Sequence, residues 1–298
     1  MKAVVFGGSG FLGSHVADAL AQAGHKVTIY DLKESFHRSG SQKFVQGDIL
    51  DPAAVARALR GQEVAYNFAG LADLDEAHEH PVESVRTNVL GNTILLEAAR
   101  TEKLRRFVFA SSIYVAGHAG GFYRASKQAC ELYVEEYQRW FELDFTILRY
   151  GSIYGRRSDR NNGVGQYLLQ ALRDRRIVIK GTGDELREYV HVSDVARASV
   201  EILQPEFRNH HIVLTGHHPL RVRDLAEMIR EMVGPDVKIE FQPAVDARTH
   251  YTITPYSFQP QIAKKLVGNH YMDMGQGLID CLEELHARLQ VPASGSPP

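Results

Sequence analysis

Apolar residues along the chain fall into short runs separated by amphipathic stretches. The runs "KAVVF" (2–6), "KVTIY" (26–30), "KFVQG" (43–47), "EVAYNF" (63–68), "RRFVFA" (105–110) and "DFTILRY" (144–150) are rich in β-branched and aromatic residues and read as strands. Between them apolar positions recur every three or four residues. This spacing predicts a helix ending near Ala23, one starting in "DPAAVARAL" (51–59), a long one from about Pro81 to Thr101, and one over 122–142. Strand, helix, strand, repeated, predicts a parallel sheet covered by helices on both faces. Past residue 151 loops lengthen and segments shorten. Helices are expected over 163–174, 193–203, 221–233, 259–267 and 274–290, with short strands near 177–180, 212–214 and 237–241. The chain thus divides into residues 1–150 and a smaller lobe over 151–290 that shares sheet elements with the first. The tail "VPASGSPP" (291–298) has almost nothing to bury and is expected to be disordered.

Composition narrows the class. Of 298 residues 44% are hydrophobic, which is enough for a sizeable core in one large domain or two. A formal net charge of -2 gives no bias toward nucleic acid or acidic membranes. No run reaches the ~20 apolar residues of a membrane helix, and glycines break the first apolar stretch before it reads as a leader. Cys130 and Cys281 are too few for a disulfide framework and have apolar neighbours, which suits buried thiols in a reducing, cytoplasmic setting. Histidines cluster at 78–80, 210–211 and 217–218 without the spacing of a metal site, so no metal is expected.

The chemistry begins at "VVFGGSGFLGSHVADAL". Gly7, Gly10 and Gly13, with Phe11 and Leu12 between the last two, stand between the first strand and an amphipathic helix. Glycines at such a turn let backbone approach a pyrophosphate and let helix and strand pack closely, and the helix N-terminus faces the phosphates. Asp31 closes the second strand, where a carboxylate accepts hydrogen bonds from the ribose hydroxyls of NAD and repels the 2′-phosphate of NADP; nearby Lys33 keeps the phosphate alternative open. Asp48 and Ile49 follow the third strand and suit an adenine cradle, while Asp51 before Pro52 reads as a helix cap.

The stretch "GGFYRASK" (120–127) puts Tyr123 and Lys127 one helical turn apart. At 100° per residue, Tyr123, Lys127, Cys130, Val134, Tyr137 and Phe141 fall within about 40° of one direction. Arg124, Gln128, Glu131, Glu135, Gln138, Arg139 and Glu142 fall on a polar arc. Lys127 therefore shares the apolar meridian, where an ammonium beside a phenol favours phenolate and is expected to draw Tyr123 from ~10 toward neutrality as a general acid and base. A third arc of Ala125, Ala129, Leu132, Tyr133 and Trp140 is a second apolar flank, suited to packing on 81–101 or on a second copy in a homodimer.

Seven segments in order, "GGSGFLG", "NFAG" (67–70), "NVLGN" (88–92), "SSIYVAG" (111–117), "YRASK" (123–127), "LRYGSIYG" (148–155) and "REYVHVSDVA" (187–196), resemble the extended short-chain dehydrogenase/reductases, specifically the NAD-dependent epimerase/dehydratase family acting on nucleotide sugars. The resemblance is close over residues 1–200 and loose beyond. It implies a Rossmann-type doubly wound α/β sheet with a smaller C-terminal substrate lobe. It implies NAD held at Gly7, Gly10, Gly13, Asp31 and the stretch Phe68, Ala69, Gly70, with Tyr123 and Lys127 reaching the nicotinamide ribose. It implies that Ser112 and Tyr123 share a sugar hydroxyl, that Asn88 supports the site, and that Ser152, Arg187 and Arg248 meet the nucleotide sugar. "SDVA" (193–196) reads as a helix cap.

Departures narrow the reaction. Ile113 and Tyr114 stand where the family's dehydratases carry Asp and Glu, so no acid is placed to protonate a leaving hydroxyl. The chain is expected to be an epimerase that oxidises, rotates and re-reduces a sugar; a reductase or dehydrogenase of a nucleotide sugar or other hydroxy or keto substrate is the alternative, and a non-catalytic NAD sensor is the non-enzyme reading. Ala116 and Ser152 also depart from the family's Tyr and Asn. The segment from Ser112 to Tyr123 is short, and Tyr114 or His118 is expected to fill the space left. A hydrolase built on Ser112 would need a G-x-S-x-G elbow, which is absent.

Overall fold

The computed structural model describes residues 1–159, 161–243, 250–256 and 262–290. The chain runs β1 (Lys2–Phe6), α1 (Phe11–Gln22), β2 (Lys26–Asp31), β3 (Lys43–Gln46), α2 (Pro52–Leu59), β4 (Val64–Asn67), α3 (Leu74–Glu79), α4 (Pro81–Ser84), a π-helical stretch (Val85–Leu90) and α5 (Gly91–Thr101). Next come β5 (Arg106–Ser112), a 3-10 turn (Ile113–Ala116), α6 (Gly121–Phe141), β6 (Phe145–Tyr150) and β7 (Ser152–Tyr154). The second half carries α7 (Gly163–Asp174), β8 (Arg176–Lys180), β9 (Leu186–Arg187), β10 (Tyr189–His191), α8 (Val192–Glu201) and a 3-10 turn (Pro205–Phe207). It ends with β11 (His210–Leu214), β12 (Leu220–Arg221), α9 (Val222–Val233), β13 (Lys238–Gln242), β14 (Lys264–Lys265) and α10 (Met274–Gln290).

Eight strands form one sheet in the order β14-β11-β6-β5-β4-β1-β2-β3, and every pair in it is parallel. The apolar runs of the strands have no polar face because both sides are covered. From β1, Ala3 and Val5 pack with Val16 and Leu20 of α1 and Val195 of α8. Val4 and Phe6 point the other way, into a core with Leu59 of α2, Leu95 of α5 and Val134 of α6. A third core joins α7, α9 and α10 over the β8–β13 pair through Leu168, Ile177, Ile229 and Leu278. The second half lends β11 and β14 to the main sheet.

Four local expectations are corrected. The helix read from Pro81 to Thr101 passes through a π-helical stretch at 85–90, where the Asn88 carbonyl accepts a hydrogen bond from Cys130 Sγ at 3.3 Å. The helix read over 259–267 is not found over 262–267, where Lys264–Lys265 are extended because they pair with Ile212–Val213 at the sheet edge; 259–261 lie outside the described residues. The cap of α8 is His191, whose Nδ1 accepts from the Ser193 amide at 3.3 Å, rather than the SDVA segment. Glu131 and Glu135, placed on the polar arc of α6, are buried, for a reason given below. Asp51 does cap α2, accepting from the Ala53 and Ala54 amides at 3.0 Å each. The tail 291–298 lies outside the described residues.

Candidate active site

The strand order reverses between β1 and β4, and the chain leaves both strands at the same sheet edge. In open α/β sheets the crevice beyond such a reversal is where ligands bind. The glycine turn follows β1, and Phe68, Ala69 and Gly70 follow β4. Gly7 has φ +73°, and a Cβ there would stand 2.6 Å from the Ala69 nitrogen, so only glycine lets the two turns meet. Gly10 precedes α1, and Gly13 in its first turn lies against the Gly7 carbonyl. No side chain caps the α1 amides and no acidic residue lies in its first turn, which leaves that N-terminus suited to an anion. Phe11 and Leu12 are half-buried against the core on the α1 side. Asp31 Oδ2 accepts from the Ser9 amide at 3.0 Å and so ties the end of β2 to the turn. Asp48 is exposed, its carbonyl accepting from the Tyr30 hydroxyl at 2.9 Å, while Ile49 is buried in the core on the opposite sheet face from α1.

These features fit NAD: the glycine turn and the α1 N-terminus would hold its phosphates, and Asp31 its adenosine ribose. Asn88 anchors the wall of the crevice. Its Oδ1 accepts from the Leu71 amide at 2.7 Å, and its Nδ2 donates to the Leu71 carbonyl at 3.0 Å and to Ser126 Oγ at 2.9 Å. The loop after β4 is thereby tied to α6.

At the end of β5 stands Ser112, and α6 brings Tyr123 and Lys127 to it. All three are buried. Burial pushes the Tyr123 phenol up to about 12, and a hydrogen bond with Ser112 pulls it back. The expected descent toward neutrality is not found in this arrangement. Lys127 faces inward as its meridian predicts, but its ammonium donates to the Ala110 carbonyl at 2.9 Å and lies 5.0 Å from the Phe109 ring centroid and 5.8 Å from that of Tyr123. Burial also lowers the Lys127 ammonium itself, against the opposing charges of Cys130 and Glu131.

One turn further, Glu131 explains why two glutamates of α6 are buried. Its carboxylate accepts from Ser111 Oγ at 2.6 Å and from Arg149 at 3.0 and 2.7 Å. His211 Nε2 lies 3.0 Å from Glu135 Oε1, and Arg149 Nη2 lies 3.3 Å from His211 Nδ1. Burial alone would raise the Glu131 carboxyl, but hydrogen bonds from His211 and Arg149 outweigh it and hold it below the usual range. Burial alone would lower His211, but its bonds to Glu131 and Glu135 outweigh that and raise it. Partners from β5, β6 and β11 thus fix the helix that carries Tyr123.

The second half supplies the facing wall. Ser152 Oγ and Tyr251 Oη are 3.0 Å apart, and the Arg187 guanidinium lies 4.2 Å over the Tyr251 ring. Tyr114 packs on Tyr251 with ring centroids 5.0 Å apart and meets Tyr123 edge-on at 6.2 Å, so it does fill the space beside the short segment. His118 is exposed. Arg248 lies outside the described residues. Sequence reasoning missed Tyr251 and His250; the aromatic-rich "HYTITPY" (250–256) was the available signal. Among the described residues no His, Cys, Asp and Glu group of three or more is placed to hold a metal, and no helix is long and apolar enough to cross a membrane.

Known proteins share this framework. The chain is 27% identical over 275 residues to the UDP-glucose 4-epimerase of Corynebacterium glutamicum, covering 82% of this chain and 84% of that one. It is 27% identical over 308 residues to a trifunctional UDP-glucose 4,6-dehydratase/UDP-4-keto-6-deoxy-D-glucose 3,5-epimerase/UDP-4-keto-L-rhamnose-reductase of Arabidopsis thaliana; that match covers 92% of this chain and only 45% of the plant enzyme. The structure of UDP-glucose 4-epimerase with UDP-glucose from Thermotoga maritima superposes with a TM-score of 0.85 at 24% identity, covering 97% of this chain and all of the other, which shows the fold. The family model matches residues 3–215, from the strand ahead of the glycine turn to the end of β11, and the chain belongs to the NAD dependent epimerase/dehydratase family.

Proposed function

We propose that the chain is an NAD-dependent epimerase of a nucleotide-activated sugar. The observation that carries this reading is the meeting of Ser112, Tyr123 and Lys127 with no carboxylate at 113 or 114, where Ile113 is buried and Tyr114 is neutral. Such a set moves a hydroxyl proton and has no acid to expel a hydroxyl. Tyr123 takes the proton of a sugar hydroxyl that Ser112 also hydrogen-bonds, and returns it after the ketone has turned over. Bound NAD supplies the other half, accepting a hydride and giving it back. Lys127, the cation on the same helix face, offsets negative charge on the phenol and reaches the nicotinamide ribose. Arg187 offers its guanidinium to the diphosphate, and Ser152 and Tyr251 line the sugar side. The relatives' names, which specify UDP-sugars, support the substrate class.

The exposed flank of α6 supports a homodimer. Leu132, Tyr133 and Trp140 are 55%, 47% and 75% exposed, and Val82 of α4 with Val85 and Leu90 of the π-helical stretch are at least half exposed. Exposed apolar side chains of this size on adjacent elements suit burial between two copies of the chain.

The test is incubation with UDP-glucose and UDP-galactose. Interconversion without net NADH, lost in Tyr123→Phe while NAD binding persists, is the expected result. Stoichiometric NADH would instead establish a dehydrogenase.

A further inference from the structure

Edge-on to the Tyr123 ring stands a second tyrosine, Tyr114, that hydride and proton exchange at one carbon does not need. Tyr114 opens the turn after Ser112, and its amide donates to Ser112 Oγ at 3.3 Å. Its ring fits because Gly120 is a glycine: φ there is +98°, and a Cβ would stand 2.7 Å from Tyr114 Cδ1. The phenolic hydroxyl lies 2.8 Å from His250 Nδ1. Burial keeps Tyr114 protonated far above neutrality. Desolvation by its neighbours holds the His250 imidazole below its ordinary value; Arg187 and Lys180 act in the same direction, and Asp73 and Asp75 oppose them. At neutral pH the pair is therefore a phenol donating to a neutral imidazole, with the ring proton on Nε2. His250 is an exposed residue, which gives a transferred proton a way to solvent.

We propose that Tyr114 and His250 form a second proton-transfer pair of the sugar site, exchanging the hydrogen on a carbon next to the substrate ketone. It rests on the reading that the site forms a nucleotide-sugar ketone. The carbon–hydrogen electron pair moves to give the enolate, with its charge on the ketone oxygen. The proton goes to the Tyr114 oxygen as that oxygen's own proton goes to His250 Nδ1. Reversal restores the carbon–hydrogen bond, and nothing is oxidised or reduced. Passing the proton straight through keeps Tyr114 from becoming a buried phenolate, which its surroundings disfavour.

The test supplies the ketone directly. The NAD-loaded protein is incubated in D2O with UDP-4-keto-6-deoxy-D-glucose, and deuterium at the carbons flanking the carbonyl is followed by NMR and mass spectrometry. The wild type is expected to exchange faster than the protein-free solution, and Tyr114→Phe and His250→Asn to slow it at least tenfold. Asparagine can accept the Tyr114 hydrogen bond but not its proton, so the fold and NAD affinity stay as they are while exchange is lost. The wild-type rate should rise with pH through a midpoint below 6.5 as His250 loses its proton, and this limb should vanish in His250→Asn. No wild-type exchange above the protein-free rate, or variants that exchange like the wild type, would overturn the pair. UDP-glucose/UDP-galactose interconversion in the same samples separates the two readings. Exchange without interconversion keeps the pair and sinks the epimerase; interconversion without exchange does the reverse.

Discussion

Replacing Arg149 by Met removes the guanidinium from a buried cluster of two carboxylates and an imidazole. Arg149 and Glu131 are 3% and 6% exposed at their side chains, and their closest approach is 2.7 Å. Removing one partner of such a pair leaves an uncompensated buried charge, at a cost of about 3–5 kcal/mol. At about 2–3 °C per kcal/mol for a chain of this size, the thermal midpoint should fall by roughly 6–15 °C. The assay is urea unfolding at pH 7 with a thermal scan beside it. A double variant, Arg149→Met with Glu131→Met, should recover most of the loss, less about 1–3 kcal/mol for the Ser111 hydroxyl that loses its acceptor. The pH dependence has two sides. Glu131 is held below its ordinary value, so its contribution is present above about 4.5 and lost as pH falls through the folded value. His211 is raised above 6.5, so its contribution is full below that value and lost as pH rises through the folded one. The network should therefore contribute most between these limits. An Arg149→Met protein within 1 kcal/mol of wild type at pH 7 would refute this account of why the glutamates are buried.

Gly7→Ala forces an L-residue to φ +73° against the Ala69 backbone; a stability loss of at least ~1–2 kcal/mol and NAD binding weakened more than tenfold by calorimetry are expected. Asp51→Ala removes both side-chain bonds at the start of α2 and should cost about 0.5–2 kcal/mol in urea unfolding, with NAD affinity unchanged. Trp140→Glu combined with Leu132→Glu places charge on the exposed flank of α6; sedimentation should show a monomer where the parent is a dimer, and a parent that sediments as a monomer would discard the dimer.

The sheet was legible because its strands are buried on both faces. Runs such as "KAVVF" and "DFTILRY" cannot be solvent-facing, and the helices between them have the right period. The two- and three-residue strands of the second half were harder. β14 is two lysines long, and nothing in its own composition marks it; it is a strand because the edge of β11 offers it hydrogen bonds. The π-helical stretch was equally silent, since Asn88 in sequence reads as one more polar residue of a helix. Of the candidate site, the parts that rest on local spacing could be read directly: the glycine turn, the Tyr123–Lys127 pair, Asp31 at a strand end. Tyr251 and His250 reach the site only through the tertiary fold, over a hundred residues from Ser112, and no local period announces them.

The catalytic helix shows where a helical wheel stops being informative. Its apolar meridian faces α5 through Cys130 and Val134, as read, while Phe141 at its far end is exposed. Glu131 and Glu135 lie roughly 80° and 120° around from Tyr123, which on a wheel is a solvated face. In the fold it is a second buried face, because β5, β6 and β11 present Ser111, Arg149 and His211 to it. A wheel tests a helix against water or a uniform apolar wall, and it has no category for a wall that carries its own charges. The consequence is geometric. α6 is packed by apolar contact on one side and held by charge on the other, and Ser111, which anchors Glu131, is the neighbour of Ser112. The strand end and the helix that must bring Ser112 and Tyr123 to one oxygen are therefore joined by a short, directional contact that apolar packing alone would not specify.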